Sequence, residues 1–323
     1  MGSIPHVVED CMGVLQLFSD GTVYRCSDIE FKFPAVNENS VVFKDIIFEK
    51  ERNLSLRLYK PKSPPISSKF PVVFYFHGGG FCVGSRLWPN FHNTCLRLSS
   101  GLGAVVVAPD YRLAPEHKLP AAIDDAVSAV EWLRKEALLD ENCVDAWVQE
   151  AVDFERVFVL GDSSGGNLAH HLSVRFGIGS TEMAPVRVRG YILLAPFFGG
   201  VARTKSEEGP SEAMLNLDIL DRFWRLSIPD GENRDHPLAN PLGSNSPSLE
   251  HVGLEPILAI VGGNEMLKDR VESYCKRLKQ LGKKIEYVEF DGKEHGFFTN
   301  DPYSKVADEV VQLIKRFMLH NSN

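Results

Sequence analysis

Several things that would fix a protein's class at once are missing from these 323 residues. The cysteines, Cys11, Cys26, Cys82, Cys95, Cys143 and Cys275, are scattered and never form C-x-x-C. A zinc site and a disulfide framework are therefore disfavoured, and a reducing compartment is the simple expectation. No Lys/Arg cluster stands out, and the formal net charge is −8, so neither nucleic acid nor an anionic membrane is an expected partner. No apolar run approaches a membrane span. Residues 1–6 hold no cationic-then-apolar leader, and His6 breaks the myristoylation pattern. A cytoplasmic location is expected, with nuclear entry left open. His170 and His171 lack the H-E-x-x-H spacing and read as a helix face, so no metal and no cofactor is expected. There is no phosphate-loop signature, internal repeat or low-complexity tract.

What is present begins with Gly161-Asp162-Ser163-Ser164-Gly165, a G-x-S-x-G. An apolar, β-rich stretch at 156–160 precedes it and a helical pattern at 166–176 follows. Strand, tight turn and helix form the setting of a nucleophile elbow, with the Ser163 hydroxyl exposed above a sheet. A bare G-x-S-x-G also arises in loops that cap helices. A second motif matches the first: the buried strand 71–76 runs straight into His77-Gly78-Gly79-Gly80-Phe81. A serine attacking a carbonyl creates an oxyanion that needs fixed N–H donors. Gly79, Gly80 and Ser164, the residue after the serine, are the expected donors. His77 is expected to brace this loop. Cys82 adjoins it as a small wall residue.

In this arrangement the acid and then the base follow the serine along the chain. Only His251, His295 and His320 lie beyond residue 245. His320 is in the polar tail, and His251 follows a Ser/Pro-rich loop. His295 follows the strand 285–290, where such folds place function, and is the expected base. Its pKa is pulled up by a carboxylate and down by burial. The residues do not decide between them, so an acid limb near neutrality, on the order of pH 6–7, is expected. Glu265 and Asp269 both follow the strand 257–261. Glu265, nearer the strand end, is preferred as the acid; Asp269 stays the alternative.

The chain order alternates strands near 71–76, 104–109, 156–161, 188–195, 257–262 and 285–290 with helices near 87–100, 121–138, 165–176, 268–281 and 303–318. That predicts an α/β fold, a mostly parallel sheet with helices on both faces. Residues 41–47 and 54–59 read as a hairpin, and 7–18 as a short apolar helix. Residues 199–245 break the alternation, with a helix at 218–226. We expect one domain over 1–323, with 1–40 and 199–245 as lid elements over Ser163. Phe81, Trp88, Phe198, Phe223, Trp224 and Phe297 are aromatic candidates for an apolar pocket, although for any single one ordinary core packing is the preferred reading. Asp124 and Asp125 fall in a helix's first turn, where the macrodipole favours them.

The HGGGF run, Pro109-Asp110-Tyr111-Arg112-Leu113-Ala114-Pro115-Glu116-His117, Pro120-Ala121-Ala122, GDSSGGN and Glu294-His295-Gly296-Phe297 together resemble the plant carboxylesterases of the hormone-sensitive-lipase type, within the α/β-hydrolases. The resemblance spans nearly the whole chain. It implies a serine esterase of small apolar ester substrates, with Ser163 as nucleophile, His295 as base, Glu265 as acid and no cofactor. The family usually carries Asp where Glu265 stands, with a second Asp four residues on, as at Asp269. The Glu variant, with Met12-Gly13 and Phe197-Phe198-Gly199-Gly200, is similar to the branch that hydrolyses strigolactones, butenolide plant hormones. Relatives also include a gibberellin receptor without a working histidine, and lyases such as hydroxyisoflavanone dehydratases. A non-hydrolytic receptor or a dehydratase is therefore the alternative.

Overall fold

The computed structural model describes residues 4–63, 69–140, 143–212 and 215–322. Residues 1–3 and 213–214 of the expected lid elements lie outside them. Eleven strands are found: β1 (Val7–Cys11), β2 (Leu15–Phe18), β3 (Val23–Arg25), β4 (Val41–Glu49), β5 (Leu54–Pro61), β6 (Phe70–Phe76), β7 (Val105–Pro109), β8 (Val152–Asp162), β9 (Val188–Leu194), β10 (Ile257–Gly262) and β11 (Ile285–Phe290). Seven helices accompany them: α1 (Pro89–Leu102), α2 (Ala121–Leu138), α3 (Ala146–Ala151), α4 (Ser164–Arg175), α5 (Leu217–Ser227), α6 (Lys268–Gln280) and α7 (Lys305–His320).

The main sheet has eight strands in the order β11-β10-β9-β8-β6-β7-β5-β4. β5 runs antiparallel to both of its neighbours, and the remaining pairs are parallel. Strand β6 is apolar at nearly every position because both faces are covered. Val72, Phe74 and Phe76 enter one core with α2, α4 and α6. Val73 and Tyr75 enter a second core with α1 and α7. This is the mostly parallel sheet with helices on both faces that the strand–helix alternation predicts, in the α/β-hydrolase form that the resemblance implies.

Order along the sheet positions the site. After β6 the chain moves to β7 on one side; it then crosses back to β8 on the other side of β6 and continues that way to β9, β10 and β11. The C-terminal ends of β6 and β8 therefore flank a crevice where the winding reverses, the usual place for a ligand in an open α/β sheet. Phe76 pairs with Gly161, so the glycine loop and the serine turn leave the sheet side by side. Gly262 pairs with Phe290, so the loops after β10 and β11 also leave together.

The N-terminal segment departs from expectation. Residues 7–18 form not a helix but β1 and β2, which with β3 make a separate three-stranded antiparallel sheet. Met12 and Gly13 turn the hairpin at φ 57° and 70°, and the Asp10 carboxylate accepts the Gly13 N–H at 2.6 Å. A helix cannot pass through two left-handed residues, and the β-branched and alternating residues on either side suit strands. Among the described residues no helix is long and apolar enough to cross a membrane.

Candidate active site

Ser163 occupies a sharp turn between β8 and α4 at φ 54°, ψ −114°, a conformation that costs a non-glycine residue about 1–3 kcal/mol. Neighbouring main chain holds it. The Ser163 N–H donates to the Leu194 carbonyl at 2.8 Å, and its own carbonyl accepts from Phe197 N–H at 2.8 Å. The flanking glycines are required by close approach. A Cβ on Gly161 would lie 1.9 Å from the Gly165 oxygen, and one on Gly165 2.0 Å from the Phe76 oxygen.

The loop after β6 is held just as tightly. Gly79 and Gly80 sit at φ 118° and 59°, where a Cβ would meet the Val83 oxygen at 2.0 Å and the Phe223 ring at 2.3 Å. Both line the same cavity as Ser163. Ser164 opens α4 directly behind the serine and is fully buried, its hydroxyl 3.3 Å from that of Tyr111. His77 is a brace, as expected. Its Nδ1 donates to the Gly78 carbonyl at 2.7 Å, its ring stacks on Tyr111 at 4.4 Å, and the Tyr111 hydroxyl donates to its carbonyl at 2.8 Å.

The loops after β10 and β11 bring Glu265 and His295 together. His295 Nδ1 donates to Glu265 Oε1 at 2.5 Å, and the Gly262 N–H donates to Glu265 Oε2 at 2.9 Å. Glu265 is buried. Asp269 faces away, its carboxylate accepting the Ser206 N–H at 2.9 Å. Burial alone would lower the pKa of His295. The Glu265 carboxylate, with Asp162 and Glu212 beyond it, outweighs burial and raises it to about 9. Burial raises Asp162 to about 6, against the pull of His295 and a hydrogen bond from Thr299.

Glu212 was not visible as a site residue in the sequence. It comes from the insertion between β9 and β10, and its carboxylate accepts two backbone N–H groups, Met266 at 2.6 Å and His295 at 2.6 Å.

Ser163, His295, Gly79 and Gly80 open on one apolar cavity of about 140 Å³. Met12 at the hairpin tip, Leu215, and Ile219 and Phe223 of α5 form its outer wall. Phe197, Trp88 and Phe91 line its inner side. The N-terminal sheet is pinned to α5 beside it: Glu9 pairs with Arg222 at 3.0 Å and Arg225 at 2.8 Å. A larger cavity of about 410 Å³ lies on the outer side of α5 among Lys118, Asp221 and Arg225, and Ser163, Glu265, His295, Gly79 and Gly80 do not line it.

Of the aromatic pocket candidates, Phe223 and Trp88 line the cavity; Phe81, Phe198, Trp224 and Phe297 do not. Trp224 stacks on Phe197 at 4.0 Å, with Phe81 against it at 5.9 Å. Phe198 packs on Tyr274 at 4.8 Å, and Phe297 on Phe290 at 5.3 Å. Phe81 and Trp224 thus back Phe197 of the wall, whereas Phe198 and Phe297 belong to core packing away from the cavity. Phe197 and Phe91 take their place, and their adjacency to Phe198 and to the helix start at Trp88 is the signal that could have found them. Cys82 is likewise behind the wall, its thiol 3.7 Å from the Phe223 carbonyl. His170 and His171 bond Tyr274 and the Leu238 carbonyl and serve packing.

Comparison with known proteins points the same way. Residues 73–299 match the model of the alpha/beta hydrolase fold family, and residues 22–119 that of the carboxylesterase family. Probable carboxylesterase 8 of Arabidopsis thaliana is 36% identical over 310 residues, covering 94% of this chain and 91% of that protein. The gibberellin receptor GID1C of the same plant is 33% identical over 317 residues, covering 91% and 88%. Among solved structures, EstE1, a thermophilic carboxylesterase cloned from a metagenomic library, superposes with a TM-score of 0.74 at 30% identity, covering 89% of this chain and 92% of its own.

Proposed function

Because the chain belongs to the α/β-hydrolase fold family, in its carboxylesterase-type branch related to plant carboxylesterases, we propose that it is a serine esterase. The observation that carries this reading is the short Glu265–His295 bond beside a strained elbow serine on one apolar cavity. Ser163 Oγ attacks the acyl carbon of an ester as His295 Nε2 takes its proton. The N–H groups of Gly79, Gly80 and Ser164 receive the oxyanion. His295 then passes the proton to the departing alcohol, leaving an acyl-enzyme that water cleaves by the same route. Glu265 fixes the ring's tautomer and stabilises the imidazolium. The chain acts as one domain, with 1–40 and 199–245 as lid elements, a reading supported by the contact of Met12 and α5 across the cavity mouth. The six free cysteines fit a reducing, cytoplasmic setting.

For the substrate we propose a strigolactone. Support comes from Glu in place of Asp at 265, from Met12 at the cavity rim and from Phe197 on its wall. At about 140 Å³ the cavity is smaller than the roughly 300–1,000 Å³ usual for drug-sized ligands. A tricyclic lactone therefore requires the wall of Met12, Leu215, Ile219 and Phe223 to move outward, whereas a short acyl group fits as it stands. Two measurements test these readings. Intact-protein mass spectrometry after a fluorophosphonate should show one adduct on Ser163; its absence favours the receptor or lyase alternative. Chromatography of a synthetic strigolactone incubated with the protein should show the freed butenolide. Cleavage of a p-nitrophenyl ester with the strigolactone intact would leave a general carboxylesterase.

A further inference from the structure

The two loops that carry Glu265 and His295 are joined by a side chain from neither. Glu212 belongs to the insertion, upstream of α5, and its carboxylate is 8% exposed. One oxygen accepts the N–H of Met266, the residue after Glu265, and the other accepts the N–H of His295 itself, each at 2.6 Å. Two short bonds from backbone donors to one ionised group are strong and directional. They fix the main chain at His295 relative to the main chain at Glu265, the quantity that sets the length of the bond between their side chains. The Glu212 N–H in turn donates to the Leu215 carbonyl at 3.0 Å, and Leu215 lines the cavity. The segment that forms the substrate wall thus also clamps the acid–base pair. A second tie runs beside it: Arg270 of α6 pairs with Glu207 at 2.6 Å and donates to the Gly199 and Gly200 carbonyls.

We propose that Glu212 is a positioning residue for ester hydrolysis, holding the Glu265 and His295 loops in register and supplying a further negative charge to the imidazolium. The inference rests on the esterase reading. Three carboxylates face His295, each from a different element: Glu265 from the loop after β10, Asp162 from the end of β8, and Glu212 from the insertion. Behind Glu212 and Glu265 lies a cavity of about 490 Å³ whose other charged groups are Lys205, Lys268, Asp269 and Glu294. During acylation His295 becomes a cation, and an anion fixed close by lowers the cost of that step without moving at the moment of reaction. Gln at 212 would keep the shape, lose the charge, and turn an amide N–H₂ toward one of the two backbone donors.

The test follows His295 itself. Wild-type, Glu212→Gln and Glu212→Asp proteins, ¹⁵N-labelled at histidine, are titrated by NMR, and kcat and KM are measured with a short-chain p-nitrophenyl ester. In Glu212→Gln the His295 midpoint should move acidward by roughly one pH unit. On the alkaline plateau, where His295 is neutral in both proteins, its kcat should fall on the order of 10-fold or more, with KM within about twofold, since misplacement acts on the chemical step. Glu212→Asp keeps the charge but not the reach, so its midpoint should stay near wild type while kcat still falls. A lowered Tm with unchanged midpoint and kcat in both variants would overturn the proposal and leave a structural brace. If Glu212→Gln does not fold, an unchanged kcat in Glu212→Asp overturns it equally. The esterase reading fails separately: wild type without turnover, or turnover surviving Ser163→Ala, would sink it, while an acidward midpoint in Glu212→Gln would still support the tie between the loops.

Discussion

At His295 the balance of opposing effects has a kinetic consequence. The ring is buried, which disfavours its cation, yet the carboxylate of Glu265 and those beyond it raise its pKa to about 9. A general base must be neutral. Activity should therefore climb with pH through neutrality, reach half its maximum near pH 9 and level only above that, well beyond the near-neutral limb expected from the sequence. A pH-stat assay of kcat/KM on an aliphatic ester reads this directly; a midpoint at the ordinary histidine value near 6.5 would mean the carboxylates do not prevail. Substitutions at the same scale separate roles. Ser163→Ala should cut turnover by a factor of about 10⁴ or more in a folded protein. Glu265→Gln should be similarly crippled, whereas Asp269→Asn, whose carboxylate serves Ser206, should keep most of its rate. Reversed behaviour of the two acid variants would transfer the acid role to Asp269. Ser163, Glu265 and His295, the proposed triad, were legible as candidates because each lies on a loop that leaves the C-terminal end of a strand. Glu212 was not, since its partners lie 54 and 83 positions away and are backbone groups that no side-chain motif announces.

Elements show where local pattern misleads. The stretch 7–18 has enough apolar residues to suggest a helical face, but Val7 and Val8 are β-branched and Met12-Gly13 turns at positive φ. The outcome is a hairpin whose tip, Met12, meets the cavity opposite Ile219 and Phe223. Cys11 and Leu15 bury it in the main core, and ion pairs add to this: Glu9 to Arg222 and Arg225, and Arg222 to the Asp10 carbonyl. Partly exposed pairs of this kind contribute about 0.2–1 kcal/mol each, and the two buried side chains contribute more through apolar burial. Deleting residues 1–20 should reduce cleavage of a bulky substrate far more than that of a p-nitrophenyl acetate. Comparing kcat/KM of the truncated and full chains on both esters tests it, and an equal loss on both would make the segment a stabiliser only. Helix α5 was placed almost correctly from the sequence, but which of its aromatic neighbours faces the cavity was not. Phe223 and Trp224 are adjacent in the chain and point to different surroundings, and the helix's rotation is set by packing against Phe197.

Across the whole molecule, strand–helix alternation was plain in the sequence because the inner parallel strands β6, β7 and β10 are uninterrupted apolar runs. The lateral order of the strands was not, since neighbours in the sheet such as β5 and β7 are distant in the chain. One buried charge shows how the remote edge is joined to the rest. Asp125 of α2 is 0% exposed; of the acid pair expected in the helix's first turn only Asp124 falls there, so the macrodipole does not account for Asp125. Its carboxylate accepts from Arg52 of the β4–β5 turn at 2.6 Å and from Arg112 Nε and Nη2 at 2.8 and 2.9 Å. The sheet edge, α2 and the loop after β7 thus meet on one anion. Removing one partner from such a group typically costs about 3–5 kcal/mol. Here the two arginines are partly exposed, at 29% and 25%, and can turn to water, so Asp125→Ala should fall near the lower end, about 3 kcal/mol. The loss should appear in Tm and urea midpoint, with kcat/KM per folded molecule unchanged within about twofold, because the triad loops hang from β8, β10 and β11 at the other side of the sheet. The route by which this expectation could fail is specific. Tyr111, next to Arg112, donates to the His77 carbonyl at 2.8 Å and so steadies the glycine loop. A fall in kcat/KM with an unaltered Tm would show that Asp125 acts through Tyr111 on the oxyanion donors and not on the fold.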